Sequence, residues 1–226
     1  MLLKRNKTMI AAALAGGVFM VSCTGVRADI VIQAGGSGTI TMEYSVSQLL
    51  ENIGKLDGNE RWLTVPVGEA DFRRTVERLD GVRLVSFASR ESSRGSAPDG
   101  ASAMIIHKVK LSFDTIDALL GFLDSIGSHT ALVTTNGKNR LSLTLTQEKS
   151  DIDPDVLALF ASVSSGYEYT VSVSVPSEGS LSLLDADGNR LAIAGAEVRQ
   201  GNPLLFSVPM GTLLSVKEGV MMEITW

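Results

Sequence analysis

Apolar and polar residues alternate with a period of two through much of the chain, and glycine-containing turns interrupt the alternation. The stretch RADIVIQAGGSGTITMEYSV (27–46) has two such runs on either side of AGGSG. Because alternate side chains lie on opposite faces of a strand, two runs joined by a glycine turn predict a hairpin. The pattern returns in HTALVTTNGKNRLSLTLTQ (129–147), whose Asn136-Gly137 pair is a strong hairpin signal.

The last quarter of the chain also predicts strands. YEYTVSVSVP alternates from Tyr167 onward, LSLLDADGNRLAI predicts two strands about an Asp-Gly turn, and LLFSVP and VMMEITW predict two more. We expect these segments to form a β-rich C-terminal portion. A separate subdomain starting at about residue 167 stays open as an alternative.

Four other segments have the spacing of helices, with apolar residues three and four positions apart. Asp114 and Asp153 are the expected N-caps of the last two, and the last also has Pro154 in its first turn. Together with the strands, they predict one α+β domain over residues 23–226, an antiparallel sheet with helices packed on one face. The four segments are SVSQLLENIGKL (45–56), EADFRRTVERLDG (69–81), DTIDALLGFLDSIG (114–127) and DIDPDVLALFASVSSG (151–166).

The first 22 residues have the three-part pattern of a secretory signal peptide. A positive cluster at residues 4–7 precedes an uncharged run of about 14 residues, Met9 to Ser22. That run is shorter than the roughly 20 residues that a spanning helix needs. A buried N-terminal helix is the alternative, but two glycines at its centre disfavour it. We therefore expect residues 1–22 to be cleaved off.

The end of this segment, Met20-Val21-Ser22-Cys23, resembles the lipobox of bacterial lipoproteins. The resemblance implies that the Cys23 thiol carries a diacylglyceryl group, that the chain is cut before Cys23, and that the new amine is acylated. Met20 and Val21 depart from the commonest pair at those positions. Two or three acyl chains, at about 0.8 kcal/mol per buried CH₂, hold a protein stably on a bilayer. A free cysteine in the tail of an ordinary signal peptide is the alternative.

Charge and cysteine content limit the partners of the mature domain. The chain has 20 basic and 25 acidic residues, and removing the three basic residues of the leader leaves 17 against 25, or −8. An acidic domain with no Lys/Arg run does not suit nucleic acid, and it offers no polybasic patch to anionic lipid. We therefore expect the lipid on Cys23 to be the membrane contact. With Cys23 modified, the domain has no other thiol.

No residue pattern predicts catalysis, a metal or a cofactor. His107 and His129 have no zinc-ligand spacing, and we expect both at the surface or at a strand edge. DADGNR (185–190) departs from calcium-loop spacing and predicts a hairpin turn. AGGSGT lacks the Lys-Ser/Thr of a phosphate loop. The sequence therefore predicts a protein that is not an enzyme and uses no cofactor or metal.

The order of lipobox, early strand, glycine turn and terminal strand GVMMEITW is similar to that of LppM-type bacterial lipoproteins. This resemblance implies an extracytoplasmic α+β module that binds lipid or glycolipid and has no catalytic residues. The chain has no apolar segment after Trp226, so we expect Cys23 to be its only anchor. Thr24 rather than Asp follows the cysteine, which in the family favours the outer membrane over the inner membrane.

These observations lead to a lipid-anchored protein of the bacterial cell envelope that binds a lipid or another apolar ligand. Eight methionines and few aromatic residues suit either an adaptable ligand surface or ordinary core filling. The alternative is a structural or surface-interaction lipoprotein whose loops, including Arg90–Ser102, contact an envelope protein. A hydrolase with an unrecognised site is a third hypothesis.

Overall fold

The structure, a computed structural model, describes residues 23–47, 68–91, 104–148, 164 and 166–226. Strands account for about half of the described residues and helices for about a sixth. The strands are β1 Cys23–Ile32, β2 Gly38–Ser47, β3 Val82–Glu91, β4 Met104–Phe113, β5 Thr130–Thr135, β6 Lys138–Thr146, β7 Glu168–Ser174, β8 Ser180–Leu184, β9 Glu197–Arg199, β10 Leu204–Pro209 and β11 Val220–Thr225. The helices are α1 Glu69–Val76, α2 Ile116–Ser125 and α3 Met210–Ser215.

The strands form two sheets. The large sheet has seven strands in the order β3-β4-β2-β1-β7-β10-β9, and the small sheet has four in the order β5-β6-β11-β8. The expectation of a purely antiparallel sheet is wrong, because β1 and β7 run parallel, with Ile30 beside Val173. Alternation of apolar residues fixes the buried face of a strand, but it does not fix the neighbour or the direction. The fold is mostly β with a large mixed sheet and few helices.

Five strands of the large sheet bury one face, as their alternation predicts. Ile30, Ile40, Val109, Val173 and Phe206, one from each of them, are at most 3% exposed. Most residues between them are hydroxyl-bearing or charged and form an outer face, on which Val31 is an exposed apolar residue. The short edge strand β9 is exposed at all three of its residues. Apolar residues of the small sheet belong to the same core cluster: Leu141, Leu143, Leu181, Leu183, Val220, Met222 and Ile224.

The first helix forms where its spacing predicts. α1 buries Phe72 and Val76 and contacts β3. The Asp71 carboxylate accepts a hydrogen bond from the Gly68 backbone N–H at 3.1 Å, which satisfies a donor that the helix start leaves open. Leu79, the third residue of the predicted apolar stripe, is partly buried just after the helix.

The second helix begins one residue later than predicted. Thr115 is the N-cap, and its hydroxyl accepts a hydrogen bond from the Ala118 N–H at 3.1 Å. Asp114 instead forms an ion pair with Arg83 of β3, with Nη1 3.1 Å from Oδ2, so its prediction as the cap is wrong. Spacing predicts an apolar stripe of Ile116, Leu119, Leu120, Leu123 and Ile126 on α2. Leu119 and Leu123 are buried, the other three are partly buried, and Phe122, which the stripe did not include, is also buried.

Several sequence predictions fall on residues outside the described ranges. They include the leader over residues 1–22, the main part of the helix predicted over 151–166, and residues 92–102 of the predicted loop. Of the helix predicted over 45–56, residues 45–47 lie in β2 and the rest is outside those ranges. Within the described ranges, no helix combines the length and the apolar character that crossing a membrane requires.

Candidate functional site

A cleft of about 430 Å³ opens at one end of the two sheets. Five separate parts of the chain line it: the β1–β2 turn, the start of α2, the β5–β6 turn, the loop after β7 and the end of the chain. The lining residues are Ile32, Gln33, Ala34, Gly35, Gly36, Ile116, Gly137, Asn139, Pro176, Ser177 and Trp226.

The glycine turn between β1 and β2 forms one wall of this end cleft. Ser37 O accepts a hydrogen bond from Gln33 N at 2.8 Å, and Gln33 O accepts one from Gly36 N at 2.9 Å. A Cβ on Gly38 would lie 1.8 Å from the Val31 carbonyl oxygen, so only glycine fits there. A Cβ on Gly35 would meet no atom within 4 Å, because that residue faces open space.

The opposite wall is held by a backbone pair between Asn139 and Trp226. Trp226 O accepts from Asn139 N at 2.9 Å, and Asn139 O accepts from Trp226 N at 3.1 Å. The Asn139 side-chain oxygen accepts a further bond from the Thr134 hydroxyl at 2.8 Å. Trp226 is 9% exposed, so its indole is packed into the core beside the cleft.

No side chain that lines the end cleft is ionisable, and Gln33, Asn139 and Ser177 supply amide and hydroxyl groups. Ile32, Ile116 and Trp226 supply apolar surface. The volume lies within the range of about 300–1,000 Å³ that small-molecule sites occupy. The arrangement suits an uncharged ligand that combines an apolar part with hydrogen-bonding groups.

Cys23, the residue predicted to carry the lipid, is the first residue of β1. Ile32, the last residue of the same strand, lines the end cleft. Nine residue steps at about 3.3 Å each separate the two by about 30 Å along the strand. The predicted anchor point and the end cleft therefore lie at opposite ends of the strand, and lipidation of Cys23 stays a prediction.

His107 is buried, so its expected position at the surface or at an edge is wrong. It is 1% exposed, and its ring lies 5.3 Å from the rings of both Tyr44 and Phe87. Its Nδ1 is 2.7 Å from the Ser89 hydroxyl on the neighbouring strand. The sequence carried a signal for this position, because His107 is in phase with the buried Val109. His129, by contrast, is exposed, as predicted.

The DADGNR segment forms a tight turn after β8, as predicted, but its second arm is a single bridge from Leu184 to Arg190. The Asp185 carboxylate accepts bonds from the backbone N–H groups of Asn189 and Asp187, at 2.8 and 3.0 Å. Hydrogen bonds from the backbone and side chain of Asn189 lower the pKa of Asp185. Among the described residues, no group of three or more His, Cys, Asp and Glu side chains is arranged to hold a metal ion.

The methionines of the C-terminal portion mainly fill the core. Met210 and Met222 are fully buried, whereas Met221 points to the outer face of the small sheet and is partly exposed. None of them lines the end cleft. The residues that do line it were missed in the sequence, because five distant segments supply them. Two turns among them, AGGSG and Asn136-Gly137, were recognised, but as hairpin signals only.

The sequence matches no protein-family profile and no curated protein. A search of solved structures finds similarity to the folded domain of the LppM protein of Mycobacterium tuberculosis, determined by NMR. The two chains are 14% identical, the match covers 88% of this chain and 86% of that one, and the TM-score is 0.37. Such a low TM-score carries no functional argument, so the function has to be argued from the residues of this chain.

Proposed function

We propose that this chain is a lipid-anchored, non-enzymatic protein of the bacterial cell envelope that binds an uncharged, partly apolar ligand in the end cleft. The anchor rests on the leader pattern of residues 1–22 and on the lipobox-like Met20-Val21-Ser22-Cys23. The ligand site rests on one observation, the cleft at one end of the two sheets, whose lining side chains are all uncharged. Lipids with a neutral polar group are one class that fits its lining.

The position of the cleft sets how such a ligand would reach it. If acyl chains hold Cys23 at the bilayer surface, the far end of β1 lies about 30 Å from the anchor point. The ligand then enters the cleft away from the acyl chains on Cys23, and the orientation of the domain decides how far the cleft lies from the bilayer.

The ligand is proposed to sit with its apolar part against Ile116 and Trp226. Its polar part would face the amides of Gln33 and Asn139 and the Ser177 hydroxyl. Each hydrogen bond adds only about 1 kcal/mol net, so the apolar contact supplies a large part of the affinity and the amides supply orientation.

The anchor is tested by metabolic labelling of the full-length protein in a bacterial host with a radioactive fatty acid. We expect label on the wild-type protein and none on Cys23→Ser, which should accumulate as the uncleaved precursor. Label on both variants, or a wild-type protein that is cleaved but carries no label, would reject the lipidation of Cys23.

The ligand site is tested by native mass spectrometry of the acylated protein, extracted gently in mild detergent. We expect an adduct, identified by organic extraction, on the wild-type protein. Gly35→Leu should lose it, because it adds bulk at a residue that lines the cleft and has free space around its Cβ. Ala131→Leu adds the same bulk at an exposed residue of β5, away from the cleft, and should keep the adduct.

The two outcomes of this experiment separate two functions. An adduct lost only in Gly35→Leu supports ligand binding in the cleft. A clean mass for all three proteins, unchanged after incubation with extracted envelope lipids, rejects it. The alternative expected from the sequence, a lipoprotein that contacts other envelope proteins and binds no small molecule, would then be the better account.

A further inference from the structure

The outer face of the large sheet gathers cationic side chains that are dispersed in the sequence. Arg27 of β1, Glu43 of β2, Lys108 of β4 and Ala88 of β3 lie side by side in one row across four strands. In the next row, Lys110 of β4 lies beside Thr41 of β2, which lies beside Asp29 of β1. Arg90 of β3 is two residues from Ala88. We call Arg27, Arg90, Lys108 and Lys110 the basic face.

The basic face has more cations than its own acids neutralise. Arg27 pairs with Asp29 at 3.3 Å, and Arg90 approaches Glu43 at 3.8 Å. Lys108 and Lys110 are exposed, and no carboxylate in the described part of the chain forms an ion pair with either. Glu168 of β7 is a third exposed carboxylate on the outer face, two residues from Thr170, the neighbour of Arg27. Four cations against three carboxylates leave a net charge of +1, in a domain whose expected net charge after cleavage is −8.

The basic face extends along β1 from near its start to beyond its middle. Cys23 is paired with Val46, whose other neighbour is Ile105, so the starts of β1 and β4 lie at the same end of the sheet. Arg90 is paired with Ile106 and lies near that end. Arg27 is four residues, about 13 Å, from Cys23, whereas the row of Lys110 is six residues, about 20 Å, from it.

From these observations we propose that the basic face docks on an anionic phospholipid surface and fixes the orientation of the tethered domain. The inference rests on the proposed anchor at Cys23, which would hold the face near the headgroups. Cations near an anionic bilayer are attracted within about a Debye length. The sequence has no Lys/Arg run, so a basic patch was not expected from it. The face arises only when residues 27, 90, 108 and 110 are brought onto neighbouring strands.

Orientation is tested with the acylated full-length protein in vesicles of neutral phosphatidylcholine or of phosphatidylcholine with 30% phosphatidylglycerol. Because acylation consumes the chain's single thiol, a new cysteine in Thr41→Cys can be labelled alone with a fluorescent donor. Energy transfer to an acceptor lipid reports how close the outer face of the large sheet lies to the bilayer. The matched control, Ala131→Cys, carries the label on the small sheet.

We expect transfer from position 41 to rise on anionic vesicles, to fall again in 0.5 M NaCl, and to be unchanged from position 131. Adding Lys108→Gln and Lys110→Gln should lower the docking constant about 30-fold. Both lysines are exposed, so an unchanged thermal midpoint will show that the variant is folded. Equal energy transfer on neutral and anionic vesicles would overturn the proposal. So would energy transfer that stays the same when both lysines are replaced.

A flotation arm separates this inference from the proposed anchor. Protein that fails to float with neutral vesicles argues against lipidation of Cys23. If the protein carries no lipid anchor, its binding to anionic vesicles still tests the basic face. Salt-sensitive binding lost in the double lysine variant supports the basic face as a docking surface. Absence of binding to both vesicle types rejects it.

Discussion

Asn139 and Trp226 exchange two backbone hydrogen bonds, 2.9 and 3.1 Å long, and so fix the end of the chain against β6 beside the cleft. The Trp226 indole is buried there. We expect Trp226→Ala to lower the free energy of unfolding by about 3 kcal/mol, because it leaves a cavity under the cleft. Trp226→Phe keeps a ring and should cost about 1 kcal/mol.

Urea unfolding of the purified protein, followed by circular dichroism, measures both losses. The two variants should also differ in native mass spectrometry, with the ligand adduct weakened more in Trp226→Ala. Equal stability of Trp226→Ala and the wild-type protein would show that the indole does not pack as described.

Glycine is required at position 38 but not at position 35. In Gly38→Ala the new methyl group would lie 1.8 Å from Val31 O and 2.5 Å from Phe113 Cζ. The hairpin would have to open, at a cost of about 3 kcal/mol in the free energy of unfolding. Gly35→Ala meets no atom within 4 Å and should change stability by less than about 0.5 kcal/mol. Thermal unfolding of the two variants side by side tests this contrast, and similar midpoints would contradict it.

The hydrogen bond between Ser89 and His107 joins β3 to β4 across the sheet. Ser89→Ala should lower the free energy of unfolding by about 1 kcal/mol, because a buried imidazole nitrogen loses its hydroxyl partner. Ser86→Ala is a matched control on the same strand, since Ser86 is exposed on the outer face. Denaturant titration should show a loss for Ser89→Ala only. An equal loss in both variants would mean that the Ser89 hydroxyl does not stabilise the fold through its hydrogen bond with His107.

The raised pKa of Tyr169 predicts that the protein loses stability at high pH. Burial raises the pKa of its phenol from 10.0 to about 12. Below pH 10 the phenol is neutral in the folded and the unfolded chain, so its contribution is constant. Between pH 10 and 12 the unfolded chain loses the proton first, so the free energy of unfolding falls, by about 2 kcal/mol in all.

The comparison with Tyr169→Phe isolates this effect. Urea midpoints measured from pH 9 to 11.5 should fall less steeply for the variant than for the wild-type protein. Absorbance at 295 nm should show one tyrosine fewer in the late part of the titration. Parallel pH profiles of the two proteins would place Tyr169 in contact with water.

Local sequence patterns predicted most of the described helices and strands, but few of the pairings between strands. The hairpin at Asn136-Gly137 and the buried faces of α1 and α2 follow from spacing within 20 residues, and all are confirmed. The parallel neighbour of β1 is not encoded locally, because Ile30 and Val173 are 143 positions apart. The cap of α2 was assigned to Asp114, and the sequence could not show that Arg83 holds that carboxylate.

The site was less predictable than the fold. Five distant segments line the cleft, so no continuous sequence motif marks it. The glycines and the asparagine in its two turns are explained equally well by the turns themselves. His107 was misplaced for a different reason. A polar residue was expected outside, although its phase with Val109 and Leu111 placed it inside. There a hydrogen bond between His107 and Ser89 offsets part of the cost of burial.

The parallel pairing of β1 with β7 has a consequence for the order of events during biosynthesis. Val173 is made only after about three quarters of the chain, so β1 lacks one of its two neighbours until then. Such distant pairing makes folding slow and leaves a strand edge open to other chains. Strand β1 therefore takes its final place in the large sheet only late in synthesis, and until then its open edge is available for pairing with other chains.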